Sequence, residues 1–218
     1  GHTGLRSRGM ANGFPVLGPS NLSTLKPGIP VQCKAMDKAD IRALRKSYRD
    51  AIRRSKQAGY DITYVYAAHD ASILWHFLSP VYNRRTDEYG GSFENRLRLF
   101  REVLEDAQEE AAGEIAIAVR FAVHELNGPK AITCDGEGRD VVEALAEIPD
   151  LWDVNVSGWS RDSGTSRFDP EGFQEEFTSF VKTVTTKPVV GVGRFTSPDA
   201  MVSQIRRGVL DLIGGARP

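Results

Sequence analysis

The chain has 218 residues, 28 of them Lys or Arg and 29 Asp or Glu, for a formal net charge of −1. Near-neutrality excludes the basic stripe of a general nucleic-acid binder, and no apolar run reaches the roughly 18 residues a membrane-spanning helix needs. The length suits one good core, not two ordinary catalytic domains. The two cysteines, Cys33 and Cys134, are far apart and have no C-x-x-C partner. With no secretory leader pattern, they point to a reducing cytoplasm and away from a disulfide.

Residues 1–36 are rich in Gly, Pro and Ser and read as a loop-rich lead-in. Residues 37–218 read as one repeating unit of helix followed by strand. Ile41, Leu44, Tyr48, Ala51 and Ile52 recur at helical spacing, Gly59 marks a stop, and a strand follows over 62–66. Ser92 can cap a helix carrying Leu97, Phe100, Val103, Leu104 and Ala107, ended by Gly113 and followed by a strand over 115–121. A helix over 139–147 precedes the strand LWDVNV at 151–156. Phe173, Phe177, Phe180, Val181 and Val184 mark a helix before the strand PVVGVGR at 188–194. Pro198 suits a first helical turn, Gly208 a stop, and LDLIGGARP closes the chain at 210–218.

Five such units with near-continuous apolar strands predict a parallel sheet covered by helices. A doubly wound sheet and a (β/α)8 TIM barrel both show this alternation. With five strands of eight, the expected architecture is an incomplete barrel, whose two raw edges invite pairing with another chain.

In a barrel, active-site groups lie at the C-terminal ends of the strands. Here those ends supply Tyr66 and His69, then Arg120, then Trp159 and Asp162 in SGWSRDSG, then Gly193–Arg194, and finally Gly214, Gly215, Ala216 and Arg217. Small residues followed by Arg at the last two strand ends suit an anion such as a phosphate; a Gly-permitted turn with a surface ion pair is the plainer alternative. Arg120 follows four apolar residues and needs an anion, either an electron-rich ring or a neighbouring carboxylate. Trp159 either packs on a neighbour or offers its face to a cationic amine. A tyrosine is a poor base at its free pKa of about 10. An oriented histidine beside it favours the phenolate.

The stretch HFLSPVYNRRTDEYGGSFENRLRLF at 76–100, with PVVGVGRF and DLIGGARP, resembles the Old Yellow Enzyme family of FMN-dependent barrels. YVYAAH, LWDVNV followed by GW and SRF, and GGARP look most like its trimethylamine, dimethylamine and histamine dehydrogenase branch. The resemblance implies FMN as cofactor and a methylated amine as small-molecule substrate. It also implies a catalytic triad of Tyr66, His69 and Asp162, with Trp159 as a wall of the amine pocket. Arg120 would lie beside the flavin, and Gly193, Arg194, Gly215, Ala216 and Arg217 at its phosphate. Ala71 stands near the place where ene-reductases of the family carry a proton-donating Tyr. That favours amine oxidation over the alternative, an NAD(P)H-dependent ene or dienoyl reductase. A third reading is a truncated, non-catalytic fragment. Members of the amine branch carry a 4Fe-4S segment beyond ARP, and none of its ligands is in this sequence. No metal site is expected from the scattered histidines.

Overall fold

The structure is a computed structural model that describes residues 15–23, 32–69, 71–126, 128, 131–156, 158 and 168–215. Helix α1 (Lys38–Gln57) starts at Asp37, whose carboxylate accepts the Ala39 and Asp40 N–H groups while Asp40 reaches back to the Asp37 N–H. This reciprocal cap satisfies donors that the first helical turn leaves unpaired. Strand β3 (Ile62–Ala67), short helix α2 (Ile73–Leu78), helix α3 (Phe93–Ala111) and strand β4 (Ala116–His124) follow. Then come α4 (Glu137–Leu145), β5 (Leu151–Val156), the single turns α5 (Glu175–Thr178) and α6 (Val181–Val184), β6 (Val189–Gly191), α7 (Pro198–Arg206) and β7 (Leu212–Ile213).

β3 to β7 form one all-parallel sheet in chain order. Residues paired across parallel strands share a face, so the register sorts the side chains. Val65, Val119, Trp152 and Val189 lie in one row, and Ala67, Phe121, Val154 and Gly191 in the row two residues on. All eight are buried. Phe121 packs against Trp75 of α2, Phe100 of α3 and Trp152 of β5. This helix-covered face is the core. The opposite face carries Tyr66, Arg120, Asp153, Val190 and Leu212 in a single row.

Tyr64 is 46% and Leu212 49% exposed on this second face, so the helices cover one side of the sheet. In the lead-in, β1 (Leu17–Gly18) and β2 (Lys34–Ala35) pair in parallel. One expectation is corrected. The helix expected through 173–184 is split into α5 and α6, interrupted at 179–180. Its β-branched residues are weak helix formers, and the Thr178 hydroxyl donates back to the Gln174 carbonyl.

The family-like stretch proves to be a structural clasp. Arg85 donates to the carbonyls of Pro19 and Met36 and pairs with Asp87, which ties the turn before α3 to the lead-in. Asn83 donates to the Phe77 and Tyr89 carbonyls. Arg96, 6% exposed, bonds the Leu78 carbonyl and pairs with Glu137 at the start of α4. Cys33 and Cys134 are both free thiols. No helix of the described residues is long and apolar enough to cross a membrane.

Candidate active site

β3 ends in the pair that the sequence singles out. The Tyr66 hydroxyl is hydrogen-bonded to Nδ1 of His69, and the two rings are stacked with centroids 6.0 Å apart. His69 is 4% exposed and adopts a left-handed backbone with φ 58°. A non-glycine residue in that region is strained, and such strain clusters at functional sites. A parallel bridge from His69 to Gly158 joins this strand end to the segment leaving β5.

β5 supplies two polar residues to the same face, Asp153 and Asn155, 5% and 0% exposed. Nδ2 of Asn155 lies 2.7 Å from Nε2 of His69, so the imidazole is held at both nitrogens. Asn155 was not singled out in the sequence, although the alternation of β5 puts it on the face of Asp153, where an amide in an apolar strand is conspicuous. Arg120 donates from Nη1 to Oδ2 of Asp153 at 2.7 Å. The carboxylate alternative for Arg120 is therefore realised. Among the described residues it uses one of five guanidinium donors, and the others suit a ligand. Burial pushes the Asp153 carboxyl above the usual range, with Arg120 acting in the opposite sense.

The last two strand ends lie side by side. Gly191 pairs with Ile213, and the Gly214 N–H donates to the Gly191 carbonyl at 2.8 Å. A Cβ on Gly214 would stand 2.9 Å from Cγ1 of Val192, whereas one on Gly215 would meet nothing within 4 Å. Arg194 has φ 57°, is exposed, and donates from Nη1 to the Asp169 carbonyl at 2.7 Å. Among the described residues, no backbone carbonyl takes the N–H groups of Gly193, Arg194 or Gly215. N–H groups on adjoining turns, open space at Gly215 and a strained Arg194 fit an anionic tail such as that of FMN.

Of the ten candidate site residues, the structure brings together Tyr66, His69 and Arg120, and separately Gly193, Arg194 and Gly215. Trp159, Asp162, Ala216 and Arg217 lie outside the described residues. A cleft of about 430 Å³ beside β7, lined by Met201, Val202, Ile205 and Leu212 among others, includes none of the candidate residues. Among the described residues no group of three or more metal-ligating side chains occurs.

Comparison with known proteins follows the same lines. Residues 10–218 match the profile of the NADH:flavin oxidoreductase / NADH oxidase family. The chain is 38% identical over 195 residues to dimethylamine dehydrogenase of Hyphomicrobium sp. (strain x), covering 88% of this chain and 26% of that protein. It superposes on 6-hydroxypseudooxynicotine amine oxidase from Pseudomonas geniculata N1 with TM-score 0.96 and 54% identity, over 100% of this chain and 32% of that one. Histamine dehydrogenase from Rhizobium sp. 4-9 gives TM-score 0.93 at 45% identity, over 99% of this chain and 31% of that one. An NADPH dehydrogenase of Geobacillus thermodenitrificans (strain NG80-2) is 32% identical over 189 residues, 83% of this chain and 51% of its own length. The sheet is accordingly five strands of a TIM barrel, and the chain spans a minor part of the amine-named relatives.

Proposed function

Because this chain belongs to the NADH:flavin oxidoreductase / NADH oxidase family, we propose that it is the cofactor-holding and proton-handling part of an FMN-dependent enzyme oxidising a secondary or tertiary amine. The observation that carries the reading is the Tyr66–His69 hydrogen bond at a strained strand end, with Tyr66 in one register row with Arg120. The names of the relatives at 38%, 54% and 45% identity direct it to amines.

FMN, when bound, would accept the hydride equivalent from the carbon next to nitrogen, leaving an iminium that water hydrolyses to an aldehyde and a smaller amine. Gly193, Arg194, Gly215, Ala216 and Arg217 would hold its phosphate, and the spare donors of Arg120 its ring. Trp159 would receive the cationic amine on its ring face, for about 1–2 kcal/mol in a desolvated site. An ammonium has no lone pair to assist oxidation, so its proton must leave first. The Tyr66 oxygen would take it, with His69 stabilising the phenolate and Asp162 helping to orient the imidazole. Lowering the phenol pKa by two units takes about 2.7 kcal/mol, a modest demand for two groups in hydrogen-bond contact in a low-dielectric site. The open edges at β3 and β7 are where further barrel strands, or a second copy of the chain, would pair.

The test is anaerobic mixing of the full-length flavoprotein with a methylated amine or with NADPH, followed by flavin absorbance. Bleaching by the amine is expected. Bleaching by NADPH alone would select the reductase alternative instead.

A further inference from the structure

We propose that Asp153 is a positioning residue whose carboxylate holds Arg120 in place and offsets its charge, and so lowers the redox potential of FMN bound on that face of the sheet. For the presence of FMN there, this rests on the reading above.

The register of β4 and β5 sets Asp153 directly opposite Arg120, on the face that also carries Tyr66. Nη1 of Arg120 donates to Oδ2 of Asp153 at 2.7 Å. The Asp153 side chain is buried, whereas that of Arg120 keeps a route to the open side of the sheet. A long, flexible side chain is thus fixed at its tip by a rigid strand residue, with its remaining N–H groups suited to a ligand.

Stability does not account for the pair. The desolvation of two buried charges can exceed their attraction, and apolar residues of similar volume are often as stable. Among the described residues, Oδ1 of Asp153 is also buried with no hydrogen-bond partner, which adds to the cost.

What the carboxylate supplies is a negative charge against the guanidinium. Alone, Arg120 would present a full positive charge in a site of low dielectric, where Coulomb interactions are strong. With the carboxylate in contact it presents little more than a dipole. Among the described residues, the other titratable group acting on Asp153 is His69, so Asp153 and Arg120 are each other's principal counter-charge. On reduction the ring of FMN takes up two electrons and one proton and ends with a negative charge. A full positive charge nearby favours that reduced form strongly, and a compensated one favours it less.

The experiment is anaerobic equilibration of the full-length flavoprotein with a dye of known redox potential, read from flavin and dye absorbance. Asp153→Asn keeps an oxygen for Arg120 to donate to and removes the charge. Its ratio of reduced to oxidised flavin at a fixed dye potential should rise about tenfold, which is about 30 mV for a two-electron couple. Arg120→Gln should lower the ratio. A ratio unchanged or lowered in Asp153→Asn overturns the proposal, and so does an unchanged ratio in Arg120→Gln, because the ring then lies outside the field of the pair. If Asp153→Asn does not fold, Asp153→Leu removes the same charge and carries the same expectation. A full-length protein without FMN overturns this inference and the reading above together. No amine enters the measurement. A raised ratio in a protein whose flavin no methylated amine reduces therefore upholds this inference and counts against amine oxidation. A fixed ratio in a protein that amines do reduce overturns this inference and leaves amine oxidation standing.

Discussion

The Arg120–Asp153 pair should respond asymmetrically to loss of either partner. Asp153 is 7% and Arg120 24% exposed at the side chain, so only the guanidinium keeps a route to water. Among the described residues, Asp153 also has Oδ1 buried with no hydrogen-bond partner, a cost of about 1–3 kcal/mol that the pair carries already. Arg120→Leu would leave a buried carboxylate with neither oxygen satisfied. Removing one partner of a buried pair costs about 3–5 kcal/mol, and protonation of Asp153 brings this to about 3 kcal/mol. Asp153→Leu strands a charge that can still reach water, but it also removes the orphaned Oδ1, so its net cost is about 1 kcal/mol. The double variant should lie within about 1 kcal/mol of wild type, because an apolar pair replaces an ionic one. Urea unfolding of the flavin-free protein measures all four, with the midpoint moving and the slope constant. The pH dependence has a definite sign. The folded pKa of Asp153 lies above its unfolded value, so its contribution is greatest below the unfolded pKa and is lost as pH rises through the folded one. Arg120→Leu should widen that loss. Equal costs for the two single variants, or a larger cost for Asp153→Leu, would refute this reasoning.

Gly138 begins α4 against β4, and a Cβ there would stand 2.0 Å from the Val123 carbonyl oxygen; Gly138→Ala should therefore cost about 3 kcal/mol by urea unfolding. Asp106 on α3, 5% exposed, binds Arg45 at 2.6 Å and Arg49 at 2.6 Å on α1. Asp106→Ala should cost about 2–3 kcal/mol, below the fully buried limit because both arginines are partly exposed. A change below about 0.5 kcal/mol would show that the α1–α3 contact is apolar. Arg207 and Gln204 hold the Glu175 carboxyl down to about 2. Its contribution is present above the unfolded pKa and is lost as pH falls from about 4.5 towards 2. Glu175→Gln should flatten that part of the acid limb in thermal unfolding.

The fold was legible wherever periodicity and caps agreed. Asp37 and Ser92 cap α1 and α3, and the apolar runs became β3, β4 and β5 in order. Less legible was the run ILWHFL, which forms the short, wholly buried helix α2; a short apolar run with no polar face shows no period to read. The split between α5 and α6 reflects β-branched residues and hydroxyls competing for backbone acceptors. Tyr66 and His69 could be found because strand ends carry barrel chemistry, and the structure joins them. Asn155 escaped notice because its contact with His69 spans 86 residues, a juxtaposition only the register of β3, β4 and β5 creates. The partner of Arg120 was open for the same reason: Asp153 lies directly opposite it on the neighbouring strand, a pairing that only the register of β4 and β5 creates.

The central claim is that the Tyr66–His69 corner handles the proton of a bound amine. Its most direct test is the rate of flavin reduction by a methylated amine in Tyr66→Phe of the full-length protein, with FMN content measured on the same sample. The account predicts unchanged FMN content and a rate lower by about 10²-fold or more. An unaltered rate at full FMN content would contradict it.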